Sequence, residues 1–423
     1  MSKKTTRPQW AWALYDWANS AFATTVMAGF FPVFFKEYWS ASADVTLSTL
    51  RLGATNSAAS LIMAVMAPIL GAIADRGGVR KRYLLIFAIT AITATALLPF
   101  IERGAWFPAA FLYGVGILGF MGGNLFYDSL LIGIAPKSRF DSISALGFSL
   151  GYLGGGALFA VNVAMVLKPT LFGLADAGEA VRASILSVAL WWSLFSIPLV
   201  VWVKEPPSFG VSRGHSIRRG LSDLKESFTH VRQLKHIFIF LLAYFLYIDG
   251  VHTIIRMAVD YGMSLGFDSS SLMTALLVTQ FVGFPATLLF GRLAGSLGVK
   301  RGLYLGIGVY CVVVIWGYSM DSVGEFYAIA ILVGMAQGGV QALSRSFFAG
   351  LIPEGHSAQF FGFYNMLGKF ATVLGPVLMG TVAYLTGNPR ASILAVLILL
   401  LGGGYLLTRV AEAPVDGNAA AGV

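Results

Sequence analysis

Charge is what this chain has least of. Asp, Glu, Lys and Arg make up 12% of its 423 residues, against about 25% in an ordinary soluble domain. Hydrophobic residues reach 57% and mean hydropathy is +0.76. A soluble fold of this length needs a charged surface that these residues cannot supply, so the class is a polytopic, all-α membrane protein. Cysteine is nearly absent too. Cys311 alone excludes an intramolecular disulfide, and inside its apolar run it reads as a small core residue. His215, His230, His236 and His356 fall in or near polar connecting segments and read as surface residues. No metal-ligand spacing, nucleotide-binding loop or nucleophile elbow is present, so neither a metal nor a cofactor is expected. An enzyme and an ATP-driven machine are both disfavoured. The net charge of +9 is no nucleic-acid signal, because the basic residues are scattered between apolar runs.

What is present is a succession of those runs. They fall at 10–35, 52–74, 83–101, 107–134, 143–167 and 184–203, then at 236–258, 271–294, 303–319, 326–352, 359–383 and 391–409. Crossing a bilayer takes about 20 helical residues. Twelve spans in two sets of six therefore fit, as an N-terminal bundle over 1–203 and a C-terminal bundle over 236–410. The first run follows Lys3, Lys4 and Arg7, but it is too long for a signal peptide and contains Asp16 and Asn19; it is read as a retained helix. With the N-terminus inside, twenty Lys and Arg lie on the inner side and six on the outer, which puts both termini in the cytoplasm. The linker 204–235 repeats Ile217, Leu221, Leu224, Phe228 and Val231 at helical spacing beside Arg218, Arg219, Lys225 and Arg232. An amphipathic helix on inner-leaflet lipids is expected there, with a solvated tether as the alternative. The small, polar tail 411–423 is expected to be disordered.

One turn is written twice. The first copy runs Gly71-Ala72-Ile73-Ala74-Asp75-Arg76-Gly77-Gly78-Val79-Arg80-Lys81-Arg82, and the second Gly291-Arg292-Leu293-Ala294-Gly295-Ser296-Leu297-Gly298-Val299-Lys300-Arg301. The glycines recur 220 residues apart, so the two bundles are read as pseudo-symmetric halves. The first copy resembles the loop between the second and third helices of major facilitator superfamily transporters. It departs from that pattern at Val79, usually basic there, and the second copy lacks the acidic residue. The resemblance implies the twelve-helix facilitator fold, with helices one, four, seven and ten lining a central cavity. It also places Asp75 near the start of helix eleven, around His356-Ser357-Ala358-Gln359, where the positive helix end favours a carboxylate. Asp75 and Arg76 are expected to form an inner latch that the second copy lacks.

Three further stretches are more specific: Trp12 to Phe22, Phe126-Tyr127-Asp128-Ser129, and Ile143 to Gly156. Together they resemble the facilitator family that includes the fungal vacuolar amino-acid effluxer linked to autophagy. That resemblance implies efflux of a small solute, with amino acids the foremost candidate.

Charges inside apolar spans need an explanation, since each costs roughly 2.5–3.5 kcal/mol near the bilayer centre. In the seventh span Asp249, His252, Arg256 and Asp260 lie along one helix face. This reads either as a polar stripe facing a water-filled cavity, with Asp249 and His252 as proton sites, or as internal pairing. In the first span Asp16, Ser20 and Thr24 share a face, with Asn19 beside them. Aligning Pro136 with Pro353 sets Asp128 opposite Arg345, so the two are expected to pair across the halves as an inner gate; pairing within each half is the alternative. Lys369, mid-way along the eleventh span, suits a carboxylate of substrate or of protein. The glycines of the fourth and fifth spans read chiefly as packing residues. The expectation is a monomeric, proton-coupled secondary transporter in a bacterial inner membrane, moving an amino-acid-like solute outward. An organic-anion exporter and a non-transporting receptor or scaffold are the rivals.

Overall fold

The computed structural model describes residues 4–42, 45–204, 234–353, 356–371, 374–386 and 389–410. All but the ends of the expected linker 204–235, its amphipathic helix included, and the tail 411–423 lie outside these residues. Every described element is helical. The first bundle comprises α1 (Arg7–Trp39), α2 (Val45–Gly77), α3 (Arg80–Leu97), α4 (Trp106–Ile134), α5 (Phe140–Leu167) and α6 (Ala177–Trp202). The second comprises α7 (Lys235–Ser264), α8 (Ser269–Leu297), α9 (Val299–Ser319), α10 (Val323–Leu351), the pair α11a (Ser357–Phe370) and α11b (Leu374–Thr386), and α12, itself stepped into Pro389–Leu394 and Val396–Thr408. Among the described residues, 11 helices are long and apolar enough to cross a membrane. The eleventh expected span is described as two stretches, of 14 and 13 residues, with 372–373 between them outside the described residues. Pro376 sits in the first turn of α11b, where a missing N–H costs nothing.

The helices are held at close range by missing side chains. A Cβ at Gly119 or Gly122 would strike Phe87 on α3, and one at Gly154 would strike Trp17 on α1. Small residues substitute for hydrophobic driving force where lipid is as apolar as the protein. In α1 the backbone opens into wide, π-type turns over Phe22–Phe30 and again over Phe35–Trp39. Such turns loosen the helix ladder and frequently mark functional segments.

The two bundles meet along α2 with α11a, α5 with α8, α5 with α10, and α4 with α11a. The closest approaches are in the halves of these helices nearer the repeated turns. Gly71 lies against the Ala358 backbone, Gly362 against Ala67 and Pro68, and Gly291 against Ala145. At the other end α1 and α7 form no comparable seam among the described residues. The end that holds the two turns is therefore the sealed one.

The turns also explain their own difference. Gly78 (φ 60°) and Gly298 (φ 90°) take the left-handed backbone that lets one helix stop and the next begin. In the second copy Lys300 Nζ donates to the carbonyls of Thr408 (3.2 Å) and Val410 (2.8 Å), satisfying the end of α12. The first copy places Arg80 at the equivalent position, but Arg80 Nε donates to Asp75 Oδ1 at 2.7 Å. The helix-end role passes to its neighbour: Lys81 Nζ donates to the carbonyls of Val200 (2.7 Å) and Val203 (2.6 Å) at the end of α6.

Candidate functional site: a charge cluster between the bundles

Arg345 projects from α10 into the first bundle and is 2% exposed. A buried guanidinium is tolerated only when its donors are satisfied. Its Nε donates to Ser144 Oγ (2.9 Å), one terminal nitrogen to the Ser144 carbonyl (2.8 Å), and the other to Asp128 Oδ1 (3.1 Å). Ser144 Oγ in turn donates to the Ala342 carbonyl on α10 at 2.8 Å. Three rings surround the cation, those of Phe148 (4.2 Å), Trp12 (4.8 Å) and Tyr127 (5.3 Å). Gly147 makes the room: a Cβ there would crowd Tyr127, Trp12 and Arg345 together. Asp128 also accepts from Asn365 Nδ2 on α11a at 3.2 Å. The cluster thus ties α4 and α5 of one half to α10 and α11a of the other.

Asp16, on α1, stands at the edge of this cluster. Its Oδ2 is 3.9 Å from the Arg345 nitrogen that serves Asp128, too far for a hydrogen bond. Its direct donors are neutral: the hydroxyls of Ser20 (3.2 Å) and Tyr127 (3.3 Å). Gly151 of α5 leaves the space that this carboxylate and Ser20 occupy.

The other candidates lie elsewhere. Asp75 is buried on the α2–α11a seam. It accepts from the backbone N–H groups of Ala358 (2.9 Å) and Gln359 (2.8 Å), the first free donors of α11a, and pairs with Arg80. Asp249 is fully buried in the second bundle, against α11b. Both its oxygens lie 3.1 Å from the Gly375 N–H, and Thr253 donates to it at 3.3 Å. A carboxylate beside the first N–H groups of α11b favours that helix end, a contact that helical spacing along the seventh span does not reveal. His252 lies on α7 and is half-buried. Asn19 Nδ2 donates to Asn124 Oδ1 at 2.6 Å inside the first bundle. The side chains of Arg76, Arg256, Asp260 and Lys369 lie outside the described residues. No group of His, Cys, Asp or Glu suited to a metal ion occurs among the described residues.

The structure therefore brings Asp16, Asp128 and Arg345 together and keeps Asp75, Asp249 and Asn19 apart from them. Ser144, Asn365, Trp12 and Tyr127 belong to the same cluster, although the sequence did not single them out for it. Ser144, Trp12 and Tyr127 do fall within the stretches of family-specific wording.

Two helix bundles facing each other across a charge cluster are the architecture of major facilitator transporters. Solved structures agree on the fold: the human organic anion transporter MFSD10 (TETRAN) superposes with a TM-score of 0.75 over 96% of this chain and 100% of that one, at 17% identity. The sequence narrows the class. Residues 52–414 match the family model described as "Vacuole effluxer Atg22 like". The uncharacterized MFS-type transporter YxiO of Bacillus subtilis (strain 168) is 39% identical over 420 residues, 97% of this chain and 96% of that protein. Autophagy-related protein 22 of Yarrowia lipolytica (strain CLIB 122 / E 150) is 25% identical, over 82% of this chain and 73% of that protein. The chain belongs to the Atg22-like family of multi-pass, MFS-type transporters.

Proposed function

We propose that this transporter is a proton-coupled secondary exporter of a small amino-acid-like solute. It works by alternating access in a bacterial inner membrane, with both termini cytoplasmic. The observation that carries the reading is the Arg345 cluster. It joins the bundles through buried charge at the turn-bearing end, and such contacts hold only while that end is shut. If the turns are cytoplasmic, as the basic residues argue, the structure is the outward-open state. Asp128, Arg345 and the Asp75 latch, with Arg76 beside it, then form the inner gate.

The solute and its coupling proton are assigned to the space between the bundles, with Asp16 and Asn19 from α1, Asp249, His252 and Arg256 from α7, and Lys369 from α11a as candidate contacts. Asp249 serves by holding the head of α11b. Mixed charge suits a zwitterion, and the family's effluxer description supports export. An organic-anion reading draws less support, because Arg345 already spends its donors on Ser144 and Asp128.

Purified protein in liposomes should move at least one amino acid of a full panel when a pH gradient is imposed, and the flux should collapse when the gradient is dissipated. No flux of any amino acid, with the protein shown to be folded, would remove that substrate class.

A further inference from the structure

The cluster holds one cation for two carboxylates, and the geometry points to what happens at the second. Arg345 spends its hydrogen bonds on Ser144 and Asp128 and stays 3.9 Å from Asp16. Asp16 is left with two long bonds from neutral hydroxyls. Among the described residues, an ionised carboxylate in that position, 9% exposed, has no cation within hydrogen-bond distance, which buried charges ordinarily require. We propose that Asp16 is an exchange site at which a proton and the ammonium group of the solute displace one another. This inference rests on the transport reading above and names the contact that would couple its two fluxes.

The surroundings fit both occupants. Groups facing Asp16 are Arg345 from α10, Asp128 and Tyr127 from α4, Tyr152 from α5 and Tyr15 on its own helix. Arg345 is the one cation in that set, and it is committed. A hydroxyl can turn to donate to a carboxylate or to accept from a carboxylic acid, so the bonds from Ser20 and Tyr127 survive either charge state. The fully buried Tyr15 ring lies 5.3 Å from that of Tyr127 and closes the site on that side. Along α1 the same face passes from Asp16, nearly closed off, to the half-exposed Ser20 and Thr24. Access is therefore from the end remote from the sealed turns. A proton and an ammonium group each bring one positive charge to Asp16 itself, so they exclude one another there one for one. With both carboxylates ionised and Arg345 the one cation beside them, the empty cluster is left with a single uncompensated negative charge, which either occupant at Asp16 offsets.

Purified full-length protein in nanodiscs tests this without any flux measurement. Infrared difference spectra across a pH titration should show the carbonyl band of a protonated carboxyl. It should vanish in Asp16→Asn, move but persist in Asp16→Glu, and persist in Asp128→Asn, each variant first checked for cooperative thermal unfolding. The probes are the twenty standard amino acids and their Nα-acetyl derivatives, which lack the α-ammonium group. At 100 times its Kd, an amino acid competing with the proton lowers the titration midpoint by about 2 pH units, and its N-acetyl derivative leaves it in place. A band that persists unchanged in Asp16→Asn overturns the site. A midpoint that no amino acid moves overturns the competition. Failed flux in liposomes with a normal band shift would instead count against transport and leave the exchange site standing.

Discussion

The latch at Asp75 permits the most quantitative prediction. Asp75 is 6% exposed and receives two backbone N–H bonds from the other bundle, at 2.9 Å and 2.8 Å. Its pairing with Arg80 stays within the first bundle and changes little when the bundles part. Asp75→Asn keeps the shape and one acceptor oxygen, but it turns the other into a donor facing an N–H and removes the charge that the α11a terminus favours. Losing one charge-assisted bond costs about 1.5–3 kcal/mol, and here the loss falls on the sealed state alone. The equilibrium should then move by about 10- to 150-fold toward the form open at the turn-bearing end. Spin labels at the exposed positions Ile73 on α2 and Leu297 on α8, with Cys311 replaced by serine, would report the separation of the bundles at that end. The variant should show a longer-distance population well above wild type. An unchanged distribution would refute the claim that Asp75 holds the seal.

Two further substitutions separate sealing from stability. Gly71→Val drives a side chain into the Ala358 backbone of α11a, and overpacking of this kind costs about 1–3 kcal/mol. The same spin-label pair should therefore show the long-distance population without any change of charge. Lys300→Met removes the cation that closes the end of α12, a contribution of about 0.3–1 kcal/mol. It should lower the melting temperature slightly and leave the distance distribution as in wild type.

How much of this was legible in the sequence differs from residue to residue. The spans and the two halves were readable because lipid selects long apolar runs and because the turns repeat. Arg345 and Asp128 stood out since charge in an apolar helix is rare, and the repeat supplied the offset of 217 residues that sets them opposite each other. Ser144 and Asn365 did not, because neutral polar side chains in helices carry no comparable signal and the Ser144 contact is partly a backbone carbonyl. The contact between Asp249 and the backbone of α11b was not visible, because nothing local announced that Asp249 would meet Gly375, 126 residues away. Helical spacing lined Asp249 up with His252 and Arg256, but spacing says which residues share a face and not which helix covers it. The exchange of roles between Arg80 and Lys81 was hidden for the same reason, since it depends on where α6 ends in space.

The central claim is that the site around Asp16 is reached from one side at a time. A single cysteine at Ser20, in the Cys311→Ser background, can be labelled with a membrane-impermeant thiol reagent from either face of oriented proteoliposomes. Labelling is expected chiefly from the face remote from the turns in the otherwise wild-type protein, with a gain of labelling from the turn-bearing face when Asp75→Asn is added. Equal labelling from both faces in the two proteins, or none from either, would contradict it.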